Sequence, residues 1–77
     1  MQTDIIDIVV HIDETLEHSR LATIEEGLRR LEGVISVCNQ ENKPHMLVAT
    51  FNLAKINAHD ILAYVTAQGV HAELTGL

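Results

Sequence analysis

The chain has 77 residues, a hydrophobic content of 47% and a formal net charge of −6. A chain of this length forms a single domain, residues 1–77, and it buries only about 60% of the surface that its unfolded state exposes. The acidic balance argues against nucleic-acid binding, because phosphate contacts need clustered Lys and Arg side chains.

The sequence also indicates the cellular compartment of the protein. Cys38 is the only cysteine, so an internal disulfide is excluded. The first residues, MQTD, lack the positively charged region of a signal peptide, and no apolar run is long enough to span a bilayer. We therefore expect a soluble, cytoplasmic protein without a membrane span.

The first element is a strand, predicted over Asp4–Asp13 from the alternation of its side chains. Its aliphatic face consists of Ile6, Ile8, Val10 and Ile12. Its second face is mixed and consists of Ile5, Asp7, Val9, His11 and Asp13. This pattern is typical of a sheet that helices cover on one side only.

A helix follows the acidic loop Asp13–Ser19, since apolar side chains recur there at spacings of three and four. They are Leu21, Ile24, Leu28 and Leu31. Glu14 and Glu17 lie near the helix start, where negative charge suits the helix dipole. Gly33 is the expected stop, and Gly27 inside the helix indicates a close approach of the helix to the sheet.

The second half of the chain predicts a hairpin, a helix and a last strand. The strands are expected at Val34–Cys38, His45–Asn52 and Val70–Leu74. The polar run Asn39–Pro44 forms the hairpin turn. Asn57 is a good helix N-cap, with Asp60 placed for a capping box, and Gly69 ends this helix.

The resulting order is β-α-β-β-α-β. Two β-α-β halves with right-handed crossovers give a four-stranded antiparallel sheet with both helices on one face. The sequence therefore predicts an α+β fold, the ferredoxin-like βαββαβ sandwich.

The pattern of residues in and after the first helix is that of a known family. The matching positions are Ile24, Glu25, Leu28, Leu31, Gly33, Val34 and Val37, and later Ile61, Val65, Gly69 and Ala72. The chain resembles the heavy-metal-associated (HMA) domain family, the fold of small copper chaperones and of the N-terminal modules of metal-pumping ATPases. The resemblance covers nearly the whole chain and implies the same fold.

The resemblance also implies where a metal site would lie. The family carries a Cys-x-x-Cys pair on the loop into the first helix, and its two positions correspond to Glu17 and Arg20 here. Cu(I) prefers thiolate or thioether ligands, which Glu and Arg do not supply. We therefore expect a copper-chaperone-like scaffold that lacks the Cys-x-x-Cys pair.

Three histidines are candidate metal ligands in its place. His11 lies near the end of the first strand and His71 near the start of the last, and these two strands run antiparallel side by side. With His18 on the adjacent loop, they predict a site for Zn, Cu or Ni. The alternative is that they are half-exposed histidines at a polar strand end and bind no metal.

The mixed face of the predicted sheet is the other candidate site. It gathers the apolar side chains Ile5, Val9, Met46 and Val48, with Cys38 beside them. A contiguous apolar patch of this kind marks an interface with a protein partner or with a second copy of the chain in a homodimer. Scattered exposed aliphatic residues are the alternative.

No catalytic motif is present. The glycines Gly27, Gly33, Gly69 and Gly76 are isolated, so there is no phosphate loop. We expect a non-enzymatic binding module that acts by protein-protein interaction through its sheet face. The alternative is metal-ion binding or trafficking through the histidines. A third possibility is a small-molecule sensor dimer, because amino-acid-binding regulatory domains share the same element order.

Overall fold

A computed structural model describes residues 4–39, 43 and 45–75. The elements are β1 (Ile5–Ile12), α1 (His18–Arg29), β2 (Val34–Asn39), β3 (Met46–Asn52), α2 (Ala58–Thr66) and β4 (Ala72–Thr75). The predicted βαββαβ order is confirmed. Most of the predicted turn Asn39–Pro44 lies outside the described residues. None of the helices in the described ranges is long and apolar enough to cross a membrane.

The sheet has four antiparallel strands in the order β2-β3-β1-β4. Both helices cover one face of it, and the core lies between them and the sheet. The buried residues are Ile8, Val10, Ile12, Leu21, Ile24, Leu28, Val37, Leu47, Ala49, Phe51, Ile61, Val65 and Val70. The predicted ferredoxin-like sandwich is therefore confirmed, with a core that is aliphatic apart from Phe51.

The first helix begins three residues before the first buried position of its stripe. His18 is its first residue, and Glu17 is the N-cap, whose side chain makes no capping hydrogen bond. Glu14 lies outside the first turn, and its carboxylate accepts hydrogen bonds from His71 instead. The expected role of Glu14 beside the helix dipole is thus replaced by a contact with the last strand.

Gly27 makes room for the second helix. A Cβ atom at Gly27 would overlap the hydroxyl group of Tyr64 on α2. The expectation of a close approach between α1 and the sheet at this position is wrong, because sequence spacing shows only that the glycine borders the apolar stripe. The close contact is between the two helices.

The second helix starts as the sequence predicts. The backbone N–H of Asp60 donates to Asn57 Oδ1 at 2.8 Å, and the backbone N–H of Asn57 donates to Asp60 Oδ2 at 3.4 Å. This capping box satisfies two amide groups that a helix start leaves unpaired, and the loss of such a cap costs about 1 kcal/mol.

Gly33 and Gly69, in the turns after the two helices, differ in how closely other side chains pack against them. Both have positive φ, 100° and 89°, where a residue with a Cβ is strained by about 1–2 kcal/mol. At Gly33 a Cβ would also lie 2.7 Å from Ile56 Cγ2 and 2.9 Å from Lys55 Cβ, whereas at Gly69 the nearest atom is 3.7 Å away.

We therefore expect Gly69→Ala to lower the free energy of unfolding by about 1–2 kcal/mol, through backbone strain alone. Gly33→Ala should lower it by more, because the added Cβ also crowds Ile56 and Lys55. Urea unfolding followed by circular dichroism measures both losses. Equal losses in the two variants would contradict the packing described at Gly33.

Candidate functional site

The open face is the side of the sheet opposite the two helices, and alternate residues of each strand form it. On β1 and β3 these are Ile5, Asp7, Val9, His11, Met46, Val48, Thr50 and Asn52, and on β2 and β4 they are Ser36, Cys38, Glu73 and Thr75. The four residues predicted as an interface, Ile5, Val9, Met46 and Val48, all lie on this face.

The centre of the open face is an apolar row across three strands. Val48 on β3 lies opposite Val9 on one side and Cys38 on the other. Met46 follows in the next row, opposite His11. We call Val9, Cys38, Val48 and Met46 the apolar centre. Cys38 is exposed, while the other three are half-buried, so these side chains still offer apolar surface to a partner.

Ile5 is separated from the apolar centre by a polar row. It lies opposite Asn52 at the far end of the sheet and is 50% exposed. Between the two, the Thr50 hydroxyl donates a 2.6 Å hydrogen bond to Asp7 Oδ1. The predicted interface residues therefore share one face but form two apolar areas rather than one continuous patch.

Acidic side chains border the apolar centre. Asp7 lies on one side of it, and Asp13 and Glu73 lie at the opposite end of the face. We call these three residues the acidic rim. The open-face residues of the four described strands include no Lys or Arg. The open face therefore presents a negative potential around an apolar middle.

His11 lies at the acidic end of the open face, between Met46 on β3 and Glu73 on β4. The register thus places Glu73, not His71, directly opposite His11. His11 Nδ1 is 3.6 Å from Asp13 Oδ1. One potential ligand atom from each of His11, Asp13 and Glu73 lies within 4.8 Å of the other two. We call these three residues the His11 cluster.

His71 is occupied by a different partner. Its backbone N–H donates to Glu14 Oε1 at 2.8 Å, and its ring Nδ1–H donates to Glu14 Oε2 at 2.6 Å. The ring hydrogen bond holds the pKa of the Glu14 carboxyl below its ordinary value of 4.5, and it raises the pKa of His71 above 6.5. These contacts tie the loop after β1 to the residue before β4.

His45 is a neighbour of the His11 cluster that the sequence did not single out. Its Nδ1 lies 3.0 Å from the carbonyl oxygens of both Ile12 and Glu14, so Nδ1 must carry the proton that it donates. The ring stacks against that of His11 with centroids 6.1 Å apart. His45 adjoins Met46 in the chain, so alternation predicts that its side chain points to the opposite side of the strand from Met46, whereas the structure stacks its ring against that of His11.

Neither of the two positions that correspond to the family's Cys-x-x-Cys pair carries a sulfur ligand in this chain. Glu17 is exposed at the helix N-cap, and Arg20 donates from its guanidinium to the Gln68 carbonyl oxygen at 2.7 Å, beyond the end of α2. His18 is exposed as the first residue of α1. Among the described residues, neither His18 nor His71 joins the His11 cluster.

A shallow groove lies between the helices. Its volume is about 380 Å³, and it is lined by Ala22, Thr23, Glu26, Gly27, Arg30 and Tyr64. The side chains of Arg30 and Glu26 are 80% and 61% exposed, so a small molecule here would stay largely in solvent. Pockets that hold small molecules bury most of the ligand surface, and this groove does not.

Solved structures share the fold. Oxidized MerP from Ralstonia metallidurans aligns with a TM-score of 0.82 at 15% sequence identity, over 94% of this chain and 99% of that one. The copper chaperone of Enterococcus hirae, in its apo form, aligns with a TM-score of 0.78 at 26% identity, over 88% and 98%. The yeast copper transporter domain Ccc2a aligns with a TM-score of 0.76 at 18% identity, over 88% and 92%.

These similarities show an HMA-like fold, as the sequence predicted. No family model matches the sequence, and no curated protein matches it either. The chain has one cysteine, and it lies on β2 rather than on the loop into α1. A pair of cysteines on that loop is therefore absent from these 77 residues.

The Glu14–His71 contact makes a pH-dependent prediction. Because the folded-state pKa of His71 is raised, its contribution to stability is complete below pH 6.5 and is lost as the pH rises through the raised value. Because the pKa of Glu14 is lowered, its contribution is present above pH 4.5 and is lost as the pH falls through the lowered value. The contact is therefore strongest between about pH 4.5 and 6.5.

We expect Glu14→Gln to shift the titration midpoint of His71 down toward 6.5, since the charged acceptor of its ring N–H is removed. Proton NMR of the imidazole ring measures this midpoint. Glu17→Gln, in the same loop, is the control and should leave it unchanged. A midpoint that stays raised in Glu14→Gln would show that His71 has another partner in solution.

Proposed function

We propose that the chain is a non-enzymatic binding module that docks on another protein through the open face of its sheet. The observation that carries this proposal is the apolar centre, whose side chains lie side by side across three strands and opposite both helices. Apolar surface that is contiguous and bordered by charge is typical of interaction sites.

The charge of the open face favours a basic partner over a second copy of the chain. Two copies packed face to face would bring both acidic rims together, and each chain carries a formal charge of −6. Juxtaposed like charges oppose association, whereas complementary potentials accelerate it. The partner surface we propose is aliphatic at its centre and carries Lys or Arg at its edge.

The cytoplasm is the compartment that we propose for this module. Cys38 is a free, exposed thiol on the open face. Reducing compartments keep such thiols unpaired, whereas secreted proteins favour disulfides.

Introducing a positive charge on the open face tests docking. Val9→Lys places a cation within the apolar centre, and Ile5→Lys places one on the same face. Leu53→Lys is the matched control, because Leu53 is 51% exposed, like Ile5 at 50%, but lies in the turn after β3. Thermal melting first confirms that each variant is folded. Each variant is then immobilised in equal amounts, and the proteins that it captures from source cells are quantified by mass spectrometry.

We expect one basic protein to be captured by the wild type and by Leu53→Lys, lost with Val9→Lys, and released from the wild type by salt. Retention of that protein by Val9→Lys would contradict docking through the open face. Sedimentation showing a dimer of the wild type that Val9→Lys dissolves would identify a second copy as the occupant and overturn the proposal of a basic partner.

Metal-ion binding or trafficking is the second candidate function. It is supported by the His11 cluster and by the copper-binding proteins among the similar structures. The histidines proposed from the sequence are His11, His18 and His71, of which the structure brings His11 together with carboxylates. Zn, Cu and Ni are the ions that such ligands favour.

Native mass spectrometry of the purified protein tests this candidate. A carrier should retain one Zn, Cu or Ni ion per chain, and His11→Ala should abolish the retained mass. His59→Ala is the control, because His59 is exposed on α2, away from the open face. A wild-type protein that retains none of these ions would argue against a trafficking role.

A further inference from the structure

We propose that His11, Asp13 and Glu73 form a site for a borderline divalent cation, with Zn²⁺ as the preferred ion, at the β1–β4 end of the open face. This inference deepens the second candidate function by giving it a definite ligand set. It does not depend on docking through the apolar centre. The site differs from the loop position at which the HMA resemblance would place a metal.

The backbone of the two strands brings the three side chains together. His11 and Asp13 are two residues apart, so alternation along the chain places them on the same side. Glu73 lies opposite His11 in the antiparallel register. The backbone N–H of Asp13 donates to the His71 carbonyl oxygen at 2.8 Å, which continues the pairing of the two strands beyond Ile12. The sheet therefore holds the positions of all three ligands.

The electrostatics of this cluster favour a cation. The carboxylates of Asp13 and Glu73 approach within 4.8 Å, where two negative charges repel each other. In the described part of the chain, no Lys or Arg forms an ion pair with either of them. The imidazole of His11 lies 3.6 Å from Asp13. A divalent ion bound between the two carboxylates would relieve their repulsion.

The donor set selects the class of ion. One imidazole nitrogen and two carboxylate oxygens form a mixed N/O set, which suits Zn²⁺ and its neighbours among the first-row divalent metals. Cu(I) requires soft sulfur ligands, and Ca²⁺ requires six to eight oxygen ligands. The His11 cluster meets neither requirement.

The ligand atoms of the His11 cluster need to move only a short distance toward one another to bind a zinc ion. Ligands about 2.1 Å from a tetrahedral zinc ion lie about 3.4 Å from one another. The potential ligand atoms of the cluster are already within 4.8 Å, and the side chains of His11 and Asp13 are 39% and 57% exposed, so an ion can reach them from solvent. Three protein ligands leave the fourth position of the ion open to water.

The neighbouring histidines define the limits of the site. His71 donates its ring N–H to Glu14 and so faces a partner outside the cluster. His45 donates its Nδ1–H to two carbonyl oxygens, and its ring packs against that of His11. His45 is thus held beside the ring of His11 and is not part of the His11 cluster.

A Zn²⁺ titration of the full chain at about pH 7.5 tests the site, because its ligands must be deprotonated to bind. Affinity is measured by calorimetry, and the position of the ion by two-dimensional NMR. Glu73→Gln keeps the shape of the side chain and removes its charge, and His11→Asn removes the imidazole. Glu26→Gln and His59→Asn on the helices are the matched controls, and Mg²⁺ is the comparison ion.

We expect one Zn²⁺ per chain, with shift changes centred on His11, Asp13 and Glu73. Each cluster variant should weaken binding by at least about tenfold, and the helix variants should not. Shift changes that centre on His18 or His71, equal affinities in Glu73→Gln and wild type, or equal responses to Mg²⁺ and Zn²⁺ would each overturn the proposal. If the titration confirms the Zn²⁺ site but the purified protein retains no ion, the site stands and only the trafficking role is disproved.

Discussion

The alternation of side chains along β1 is the constraint on which the rest of the structure depends. Ile8, Val10 and Ile12 are buried beneath the helices, while Val9 and His11, between them, form the open face. A slip of one residue would exchange the two sets. Since burying an aliphatic side chain contributes about 1.5–3 kcal/mol, exposing three of them would cost as much as many small domains have in total stability. The core therefore determines which side chains reach the open face.

Much of the fold, and less of the candidate site, could be predicted from the sequence. Periodicity revealed the strands, the stripe of α1 and the capping box at Asn57, because each depends on neighbours along the chain. It also assigned Val9 and His11 to the same face. It did not reveal the pairing of His11 with Glu73, because register between distant strands depends on the whole packed sheet. The Gly27–Tyr64 contact and the place of His45 depend likewise on how separate elements meet.

The loop into α1 and the first turn of that helix hold this end of the molecule together. Arg20 reaches the Gln68 carbonyl group past the end of α2, Glu14 holds His71 before β4, and His45 donates to the carbonyl groups of Ile12 and Glu14. Each of these contacts joins this part of the chain to a different element. At position 20 the side chain therefore has a structural partner, and its positive charge lies where a cation would be repelled. The proposed ion site lies instead at the strand ends, where His11, Asp13 and Glu73 converge.

The proposed ion site and the proposed docking surface share the open face, and this has a thermodynamic consequence. Asp13 and Glu73 belong both to the acidic rim and to the His11 cluster, so a divalent ion would neutralise two of the three rim carboxylates. A partner attracted by the rim would then meet a weaker negative potential, and by reciprocity that partner would lower the affinity for the ion. The ion and the partner would raise each other's affinity only if the partner supplied a ligand for the open fourth coordination position of the ion. Negative coupling between Zn²⁺ and the partner therefore indicates that the acidic rim attracts the partner by its charge. Positive coupling indicates that the partner completes the coordination of the ion.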